Sequence, residues 1–332
     1  MEFFYPAYYE QFTCIAQNCP DSCCKEWSVD VDEETAAFYR SLPGALGERL
    51  RQVLQDTACG TVMNIEDGRC PMWRQDGLCR IHAELGHDAL CITCREFPRL
   101  RHDYGDFMEL GLELSCPEAA RLILTGKQIF CVRTVPGGEN PEYDRECMET
   151  LLRTRKEFLD FLDTTAYSVP QILAIFLLYA HEVQEELDGG AAAVLNPDVC
   201  LADAKSFAEN GDFQALRDFF LDLEILTPQW KTRLEQPADS LFWDIGQKAL
   251  LRYFLGRYWL QTVSDYDVLC RAKFSVSVCI LVAGLGGNFI ETAQLFSKEI
   301  ENDPDNVDAI LDGAYTSPAL TDLNLLGLLL AK

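Results

Sequence analysis

Apolar residues recur every three or four positions along most of the chain, a spacing typical of helices that bury one face. In the first part of the chain this pattern predicts a helix over residues 32–55, interrupted at Pro43 and Gly44, and a second helix over residues 117–125. Later in the chain helix follows helix. The predicted segments are 146–163, 170–187, 201–209, 212–223, 237–263, 268–285 and 289–301.

Runs of alternating β-branched residues are rare, and residues 60–65 and 129–134 are the best strand candidates. The segment 135–140 (Val-Pro-Gly-Gly-Glu-Asn) has the composition of a linker. The pattern therefore predicts a mainly α protein in two parts. A loop-rich part covers residues 1–134, and an α-helical domain covers residues 141–332.

The charge balance narrows the range of partners. The 332 residues include 28 Lys and Arg against 53 Asp and Glu, a net charge of −25. A surface this acidic repels phosphate backbones and anionic lipids. We therefore expect neither a nucleic acid nor a membrane as partner. No uninterrupted apolar run is long enough to cross a bilayer, and the first residues lack the features of a secretory signal. We expect a cytoplasmic protein that would tolerate a lysine-bearing partner.

Cysteine is concentrated at the front of the chain, where ten of the fifteen cysteines fall within the first 116 residues. A first group spaced C-x4-C-x3-C-C consists of Cys14, Cys19, Cys23 and Cys24. A second group spaced C-x8-C-x11-C-x2-C consists of Cys70, Cys79, Cys91 and Cys94, and Cys116 follows it. A reducing cytosol does not sustain a disulfide framework, and thiolates at short spacings are strong ligands for soft metals. The part before residue 135 is therefore predicted to be a cysteine-rich metal-binding module.

Two kinds of metal site compete for these thiols. Structural zinc favours closed sets of four ligands with repeated C-x2-C pairs, and the two groups contain one such pair. The wider, irregular spacings suit the four differently directed irons of a [4Fe–4S] cluster, which we favour, with zinc as the alternative. The C-x3-C-x2-C loop of radical enzymes is absent, because Cys24 follows directly on Cys23.

Several motifs resemble those of the flagellin lysine-N-methylase family. They are Cys-Pro-Asp-Ser-Cys-Cys (19–24), Gly-Leu-Cys-Arg-Ile-His (77–82), Thr-Cys-Arg-Glu-Phe-Pro (93–98), Leu-Ser-Cys-Pro-Glu-Ala-Ala-Arg (114–121) and the tail segment 293–302. The cysteine-rich part also resembles small zinc- or iron-chelating proteins. The resemblance implies methyl transfer from S-adenosylmethionine to lysine ε-amines of flagellin, in an enzyme that carries a [4Fe–4S] cluster.

Eight cysteines match the family pattern and are the expected metal ligands. They are Cys14, Cys19, Cys23, Cys24, Cys70, Cys79, Cys94 and Cys116. Cys91 falls where the family would have another residue, so it is set aside despite its C-x2-C spacing, and Cys59 has no counterpart. The residues that bind S-adenosylmethionine and those that catalyse transfer stay unassigned. A non-enzymatic zinc- or iron-binding module and a cluster-dependent redox enzyme are the alternative functions.

Overall fold

Helices dominate the protein. The computed structural model describes residues 1–127, 129–208, 210–236 and 240–330. Helices make up 58 % of it and strands 11 %. The helices before residue 135 are α1 Tyr8–Gln11, α2 Glu33–Ser41, α3 Gly44–Val53, α4 Arg80–Leu85, α5 Ile92–Glu96 and α6 Pro117–Thr125. Those after it are α7 Arg145–Thr164, α8 Val169–Leu187, α9 Pro197–Phe207, α10 Phe213–Leu221, α11 Pro228–Glu235, α12 Gln247–Tyr258, α13 Val268–Leu285, α14 Phe289–Phe296, α15 Pro304–Thr316 and α16 Asp322–Leu330. The prediction of a mainly α protein is confirmed.

All the strands described lie before residue 135. They are β1 Glu2–Pro6, β2 Val29–Val31, β3 Leu54–Thr57, β4 Gly60–Met63, β5 Arg99–Asp103, β6 Phe107–Leu112 and β7 Phe130–Thr134. One sheet has the order β5-β6-β1-β7, with β1 parallel to β6 and antiparallel to β7. In its β5–β6 pair, His102 lies opposite Glu109. A smaller sheet has the order β2-β4-β3.

Two apolar cores hold these elements. The smaller core gathers side chains between Val29 and Cys91, around the β2-β4-β3 sheet and α2 and α3. The larger core gathers the helices after residue 141 and also takes in Phe107 and Leu112 of β6 and most of α6. The four-stranded sheet and α6 therefore pack on the helical part. The division into a module over residues 1–134 and a domain over 141–332 stays a prediction.

Helix α13 lies in the middle of the larger core. It has 18 residues with a mean hydropathy of 1.9, so by length and composition alone it could cross a membrane, although Arg271 and Lys273 interrupt its apolar run. However, 89 % of it is buried inside the protein, and a buried core helix passes the same test of length and composition. Its cations are also paired: Arg271 with Asp265 at 2.8 Å, and Lys273 with Asp322 at 3.5 Å.

The sequence pattern located most helices but few strands. The interruption at Pro43 is confirmed between α2 and α3, and α6 has the predicted bounds. Strands β4 and β7 confirm the two strand predictions, whereas the other strands, the short helices α1, α4 and α5, and the later helices α11, α15 and α16 were missed. The predicted helix over 237–263 begins on residues outside the described ranges, and the helix that is described there starts at Gln247. Residue 209, the predicted end of another helix, also lies outside them.

Phe296 is the aromatic centre of the larger core. It is fully buried, and its ring lies 6.1–6.3 Å from those of Phe220, Trp230, Phe254 and Phe274. Replacing a buried Phe by Ala removes about 3–5 kcal/mol of unfolding free energy, because the cavity left behind does not close. We therefore expect this loss for Phe296→Ala in urea denaturation.

The matched control is Phe207→Ala, because the side chain of Phe207 is 54 % exposed on α9. This variant should lose less than about 1 kcal/mol. Equal losses in the two variants would contradict the assignment of Phe296 to the core.

Candidate metal centre

Backbone hydrogen bonds bring the two cysteine groups side by side. The N–H of Cys70 donates to the carbonyl of Cys24 at 2.8 Å, and the N–H of Glu26 donates to the carbonyl of Gly68 at 3.1 Å. Tight turns make this approach possible, since Glu26 and Gly68 have φ values of 72° and 73°. Only a left-handed turn reverses the chain so sharply next to a ligand pair, and Gly68 adopts it without a steric penalty.

Cys79 joins the second group through a short turn. The N–H of Trp73 donates to the carbonyl of Cys70 at 2.9 Å, and that of Arg80 donates to the carbonyl of Met72 at 2.7 Å. Trp73 also pairs with Cys79 in an isolated antiparallel bridge. These bonds fold the segment back so that Cys79, at the start of α4, lies near Cys70.

Helix α5 carries the last pair of the second group. Cys91 precedes its first residue and Cys94 lies within it. The start of the helix is tied to β2 and α2: the N–H of Ile92 donates to Asp32 Oδ2 at 2.9 Å, and Thr93 Oγ1 donates to the carbonyl of Asp30 at 2.9 Å. Asp32 also caps α2 through the N–H of Thr35, so a single carboxylate fixes both elements.

The thiols of Cys23, Cys24 and Cys70 form one interacting set. Hydrogen bonds with the thiols of Cys23 and Cys70 raise the pKa of Cys24 far above its ordinary value. The same hydrogen bonds lower the pKa values of Cys23 and Cys70. Shifts in opposite directions are expected for thiols that lie close enough to interact.

Cys91 and Cys94 form a second pair of the same kind. The hydrogen bond between them lowers the pKa of Cys91 and raises that of Cys94. The charges of Cys23 and Cys70 also raise the pKa of Cys94, so the two thiol sets lie within electrostatic range of each other. Cys91 was set aside on the sequence, yet it is buried and directly paired with an expected ligand. Its C-x2-C spacing was the signal that could have found it.

The remaining expected ligands surround these pairs. Burial raises the pKa of Cys116 to about 12, and the charges of Cys19 and Cys23 add to the shift. Burial is also the main cause that raises the pKa values of Cys19 and Cys79. Cys14 interacts electrostatically with Cys19, which links all eight expected cysteines, directly or through neighbours. Cys59 is exposed on the turn between β3 and β4.

Thiols are the donors that a soft metal takes, but these thiols do not converge on one ligand set in the structure. Within the described ranges, no three His, Cys, Asp or Glu side chains form a set that could hold a metal ion. All fifteen cysteines are free thiols, and the cluster has a buried side with Cys70 and Cys91 and an exposed side with Cys14, Cys23 and Cys94. Free, mutually interacting thiols that are partly accessible are the chemistry that iron–sulfur clusters and zinc select.

A buried lysine fastens the first cysteine loop to the helical part. Lys298 is 3 % exposed, and its ammonium lies 2.8 Å from Asp21 Oδ2 and also contacts Glu26. It lies 5.5 Å from the centre of the Trp27 ring as well. Asp21 precedes Cys23 and Cys24 in the sequence, and Glu26 and Trp27 follow them. The contact between Lys298 and Asp21 therefore joins residues 277 positions apart and ties the loop that carries the first thiols to the helical part.

Lys298 belongs to a π-helical turn, Ser297–Glu301, that follows α14 and is buried throughout. The carboxylate of Glu299 accepts a hydrogen bond from the N–H of Leu226 at 2.8 Å. The carboxylate of Glu301 accepts one from the hydroxyl of Tyr258 at 2.7 Å and pairs with Arg257 at 3.1 Å. The extra residue of a π-turn redirects consecutive side chains, so each charge reaches a different partner.

Comparison with known proteins identifies the family. The chain is 33 % identical over 150 residues to the flagellar biosynthetic protein FliU of Salmonella muenchen, a match that covers 42 % of the chain and 84 % of FliU. It is also 33 % identical over 129 residues to the lysine-N-methylases of Salmonella typhimurium (strain LT2) and Salmonella choleraesuis. The chain belongs to the flagellin lysine-N-methylase family.

The extent of these matches differs between the relatives of this family. The match to each of the two lysine-N-methylases covers 36 % of the chain and 31 % of the relative. No protein-family model matches the chain, and no solved structure matches it.

Lys298→Met tests how the first cysteine loop is held in this lysine-N-methylase relative. Removing the ammonium takes the buried partner away from Glu26 and leaves Asp21 with Lys25 alone, at 3.3 Å, whereas loss of one partner of a fully buried pair costs about 3–5 kcal/mol. Because the carboxylates are 24 % and 28 % exposed, we expect solvent to reduce the loss to about 2 kcal/mol in urea denaturation.

Lys156→Met is the matched control, because Lys156 is 76 % exposed and pairs with Asp160 on the surface of α7. Its loss should stay within about 0.5 kcal/mol. A Lys298→Met protein as stable as this control would show that the contact does not hold the loop.

Proposed function

We propose that the protein is a protein-lysine N-methyltransferase that transfers methyl groups from S-adenosylmethionine to lysine ε-amines of flagellin and contains a cysteine-bound [4Fe–4S] cluster. The observation that carries the proposal is the meeting of the two cysteine groups, through Cys24 and Cys70, in a member of this family. Two relatives bear the name lysine-N-methylase, and a third is named for flagellar biosynthesis.

The metal ligands would come from both thiol sets. Cys23, Cys24 and Cys70 lie together, and Cys94 is within their electrostatic range with Cys91 at its side. A cluster bound there would supply a charged cross-link between two loops. The lowered pKa values of Cys23, Cys70 and Cys91 favour the thiolates that a metal needs. Zinc is the alternative occupant, because it also takes four thiolates.

The charge of the protein supports a lysine-bearing substrate. A net charge of −25 attracts a cationic segment over several ångströms and speeds encounter at low salt. The same charge disfavours nucleic acids and anionic membranes, which agrees with a cytoplasmic enzyme that acts on a protein. Two non-methylating functions compete with the proposal: a module that only holds zinc or iron, and a cluster-dependent redox enzyme.

Metal analysis of protein purified without oxygen tests the cofactor. We expect about four iron and four sulfide per chain and a brown absorption near 400 nm, because a [4Fe–4S] cluster is held by four cysteine thiolates. Cys24→Ser and Cys94→Ser should lose this absorption, since each removes a thiol at the centre of an interacting set.

The control for these variants is Cys59→Ser, because Cys59 is exposed on a turn outside the cluster, and this variant should keep its iron. A content of one or two zinc ions per chain, without sulfide, would favour a zinc site over the cluster. Metal-free wild-type protein would contradict both cofactors.

Methyl transfer is tested with labelled S-adenosylmethionine and purified flagellin. We expect label on flagellin lysines, found by mass spectrometry of the digested product. A flagellin whose lysines are acetylated is the control, because acetylation removes the nucleophilic amine. Metal-loaded protein that labels neither flagellin nor other lysine-rich proteins would contradict the proposed function and favour a metal holder.

A further inference from the structure

Strand β7 forms an open edge of the four-stranded sheet. It is last in the order β5-β6-β1-β7, and within the described ranges no strand pairs with its outer side. On its inner side the N–H of Ala7 donates to the carbonyl of Ile129 at 2.7 Å, and the N–H of Val135 donates to the carbonyl of Met1 at 3.0 Å. Backbone groups along an antiparallel strand point to alternate sides, so the odd-numbered residues of β7 bond to β1. The even-numbered residues point their N–H and C=O groups outwards, and they are Phe130, Val132 and Thr134.

Two apolar side chains of β7 are exposed at this edge. Val132 lies opposite Phe4 in the sheet, and Phe130 is two residues before Val132, so the three side chains share one face. The Phe4 ring packs edge-on against Phe107 of the larger core at 5.8 Å, which identifies this face as the one that packs on the helices. Nevertheless, Phe130 is 48 % exposed and Val132 is 55 % exposed. The helices therefore cover this face near Phe4 and leave it uncovered at β7.

An apolar edge of this kind favours the addition of another strand. Proteins usually protect edge strands with charged side chains, proline or a covering loop, because unpaired N–H and C=O groups attract another strand. The core-side face of β7 carries no charge, since its residues are Phe130, Val132 and Thr134. In recognition by strand addition, main-chain hydrogen bonds provide the affinity and alternate side chains provide the specificity.

The charges around β7 differ from those of the chain as a whole. Residues 119–138 contain three cations and no Asp or Glu, although the net charge of the chain is −25. One of the cations, Arg121, is paired with Glu118 at 2.6 Å. The other two, Lys127 and Arg133, are exposed and have no ion pair within the described ranges. The edge therefore combines an apolar face with two unpaired positive charges.

These cations favour an acidic partner over a second copy of the chain. If two copies paired through β7, their Arg133 side chains would lie on the same face of the joined sheet and repel each other. Arg133 lies 5.1 Å from the centre of the Phe3 ring, on the face away from the core, where a carboxylate on an added strand can reach it. Charges in physiological salt act over about 8 Å, so these local cations outweigh distant carboxylates once a segment is in contact.

We propose that β7 docks an extended segment of another protein in which apolar residues alternate with Asp or Glu. The segment adds a fifth strand to the sheet and bonds to the outward backbone groups of β7. Its apolar residues cover Phe130 and Val132, and its carboxylates face Arg133. The inference goes beyond the proposed function and depends neither on the metal centre nor on methyl transfer, because it uses only the edge and its charges.

Binding of a labelled peptide to the full chain tests the proposal. The probe is a short fluorescein-labelled peptide of alternating Val and Glu, and its binding is measured by fluorescence anisotropy. We expect saturable binding that weakens at least tenfold when every Glu is replaced by Lys, because Lys127 and Arg133 repel the second peptide. A Val–Glu peptide with N-methyl groups on its Val residues should not bind, since these residues can no longer donate hydrogen bonds to β7.

Val132→Pro tests the backbone pairing. It removes one outward N–H without breaking a bond to β1, and proline is tolerated on edge strands. We expect this variant to bind the Val–Glu peptide at least tenfold more weakly, with a melting temperature close to wild type. Val132→Thr is the matched control, because it keeps the N–H and a β-branched side chain, and its affinity should stay within about threefold of wild type.

Arg133→Glu tests the choice of an acidic segment. This variant should bind the Val–Glu peptide at least tenfold more weakly and the Val–Lys peptide more tightly than wild type does, because the charge that faces the added strand is reversed. Lys231→Glu makes the same change in net charge on the surface of α11, where the side chain of Lys231 is 59 % exposed. It should change neither affinity.

The outcomes decide whether β7 is a docking edge and for what partner. If wild-type protein binds neither peptide, or binds both equally well, the proposal is wrong. If the Val–Glu peptide binds Val132→Pro and Arg133→Glu as tightly as wild type, it binds elsewhere and β7 is not the site. If analytical ultracentrifugation shows a dimer that Val132→Pro dissociates, a second copy occupies the edge and the proposed acidic partner is wrong. Methylation assays play no part in these outcomes, so the proposed function stands or fails separately.

Discussion

The buried ammonium of Lys298 requires opposite charges close to it, and this requirement fixes the position of the first cysteine loop. A charge buried beside a core is tolerated only when opposite charges lie close to it, because its separation from water costs several kcal/mol. Asp21 and Glu26 meet this condition, and both belong to the loop that carries Cys23 and Cys24. The loop therefore cannot leave the helical part without exposing an unpaired charge. In this way the last third of the chain determines where the first thiols lie.

The π-turn Ser297–Glu301 also connects the thiol cluster to a cavity between the four-stranded sheet and α12. Three residues after Lys298, Glu301 binds the hydroxyls of Tyr253 and Tyr258 and pairs with Arg257. Tyr253 and Arg257 line this cavity. One buried turn thus supports both the loop of the proposed metal centre and the wall of the cavity. A substitution in this turn would disturb both regions.

Local patterns in the sequence predicted the helices well and the sites only in part. Helix α6 was placed correctly because its proline start and apolar period are local signals. Strands β5 and β6 were missed because neither contains a β-branched residue: β5 is mostly charged, and β6 is mostly made of unbranched or γ-branched apolar residues. The cysteine spacings indicated the thiol groups, whereas resemblance to the family removed Cys91, which the structure places against Cys94. Lys298 lies in the tail segment that resembles the family, but its role arises from contacts with Asp21 and Glu26 across the fold, which no local pattern predicts.

The distribution of charge bears on the proposed substrate. An excess of carboxylates gives the protein a field that attracts a lysine-rich segment while its amines are still protonated. Three largely buried arginines beside the four-stranded sheet and α12 do not oppose this attraction, because each is paired with a carboxylate: Arg155 with Glu109, Arg257 with Glu301 and Arg252 with Asp163. Paired charges of opposite sign largely cancel at a distance, so the unpaired surplus of carboxylates determines the field that an approaching lysine meets.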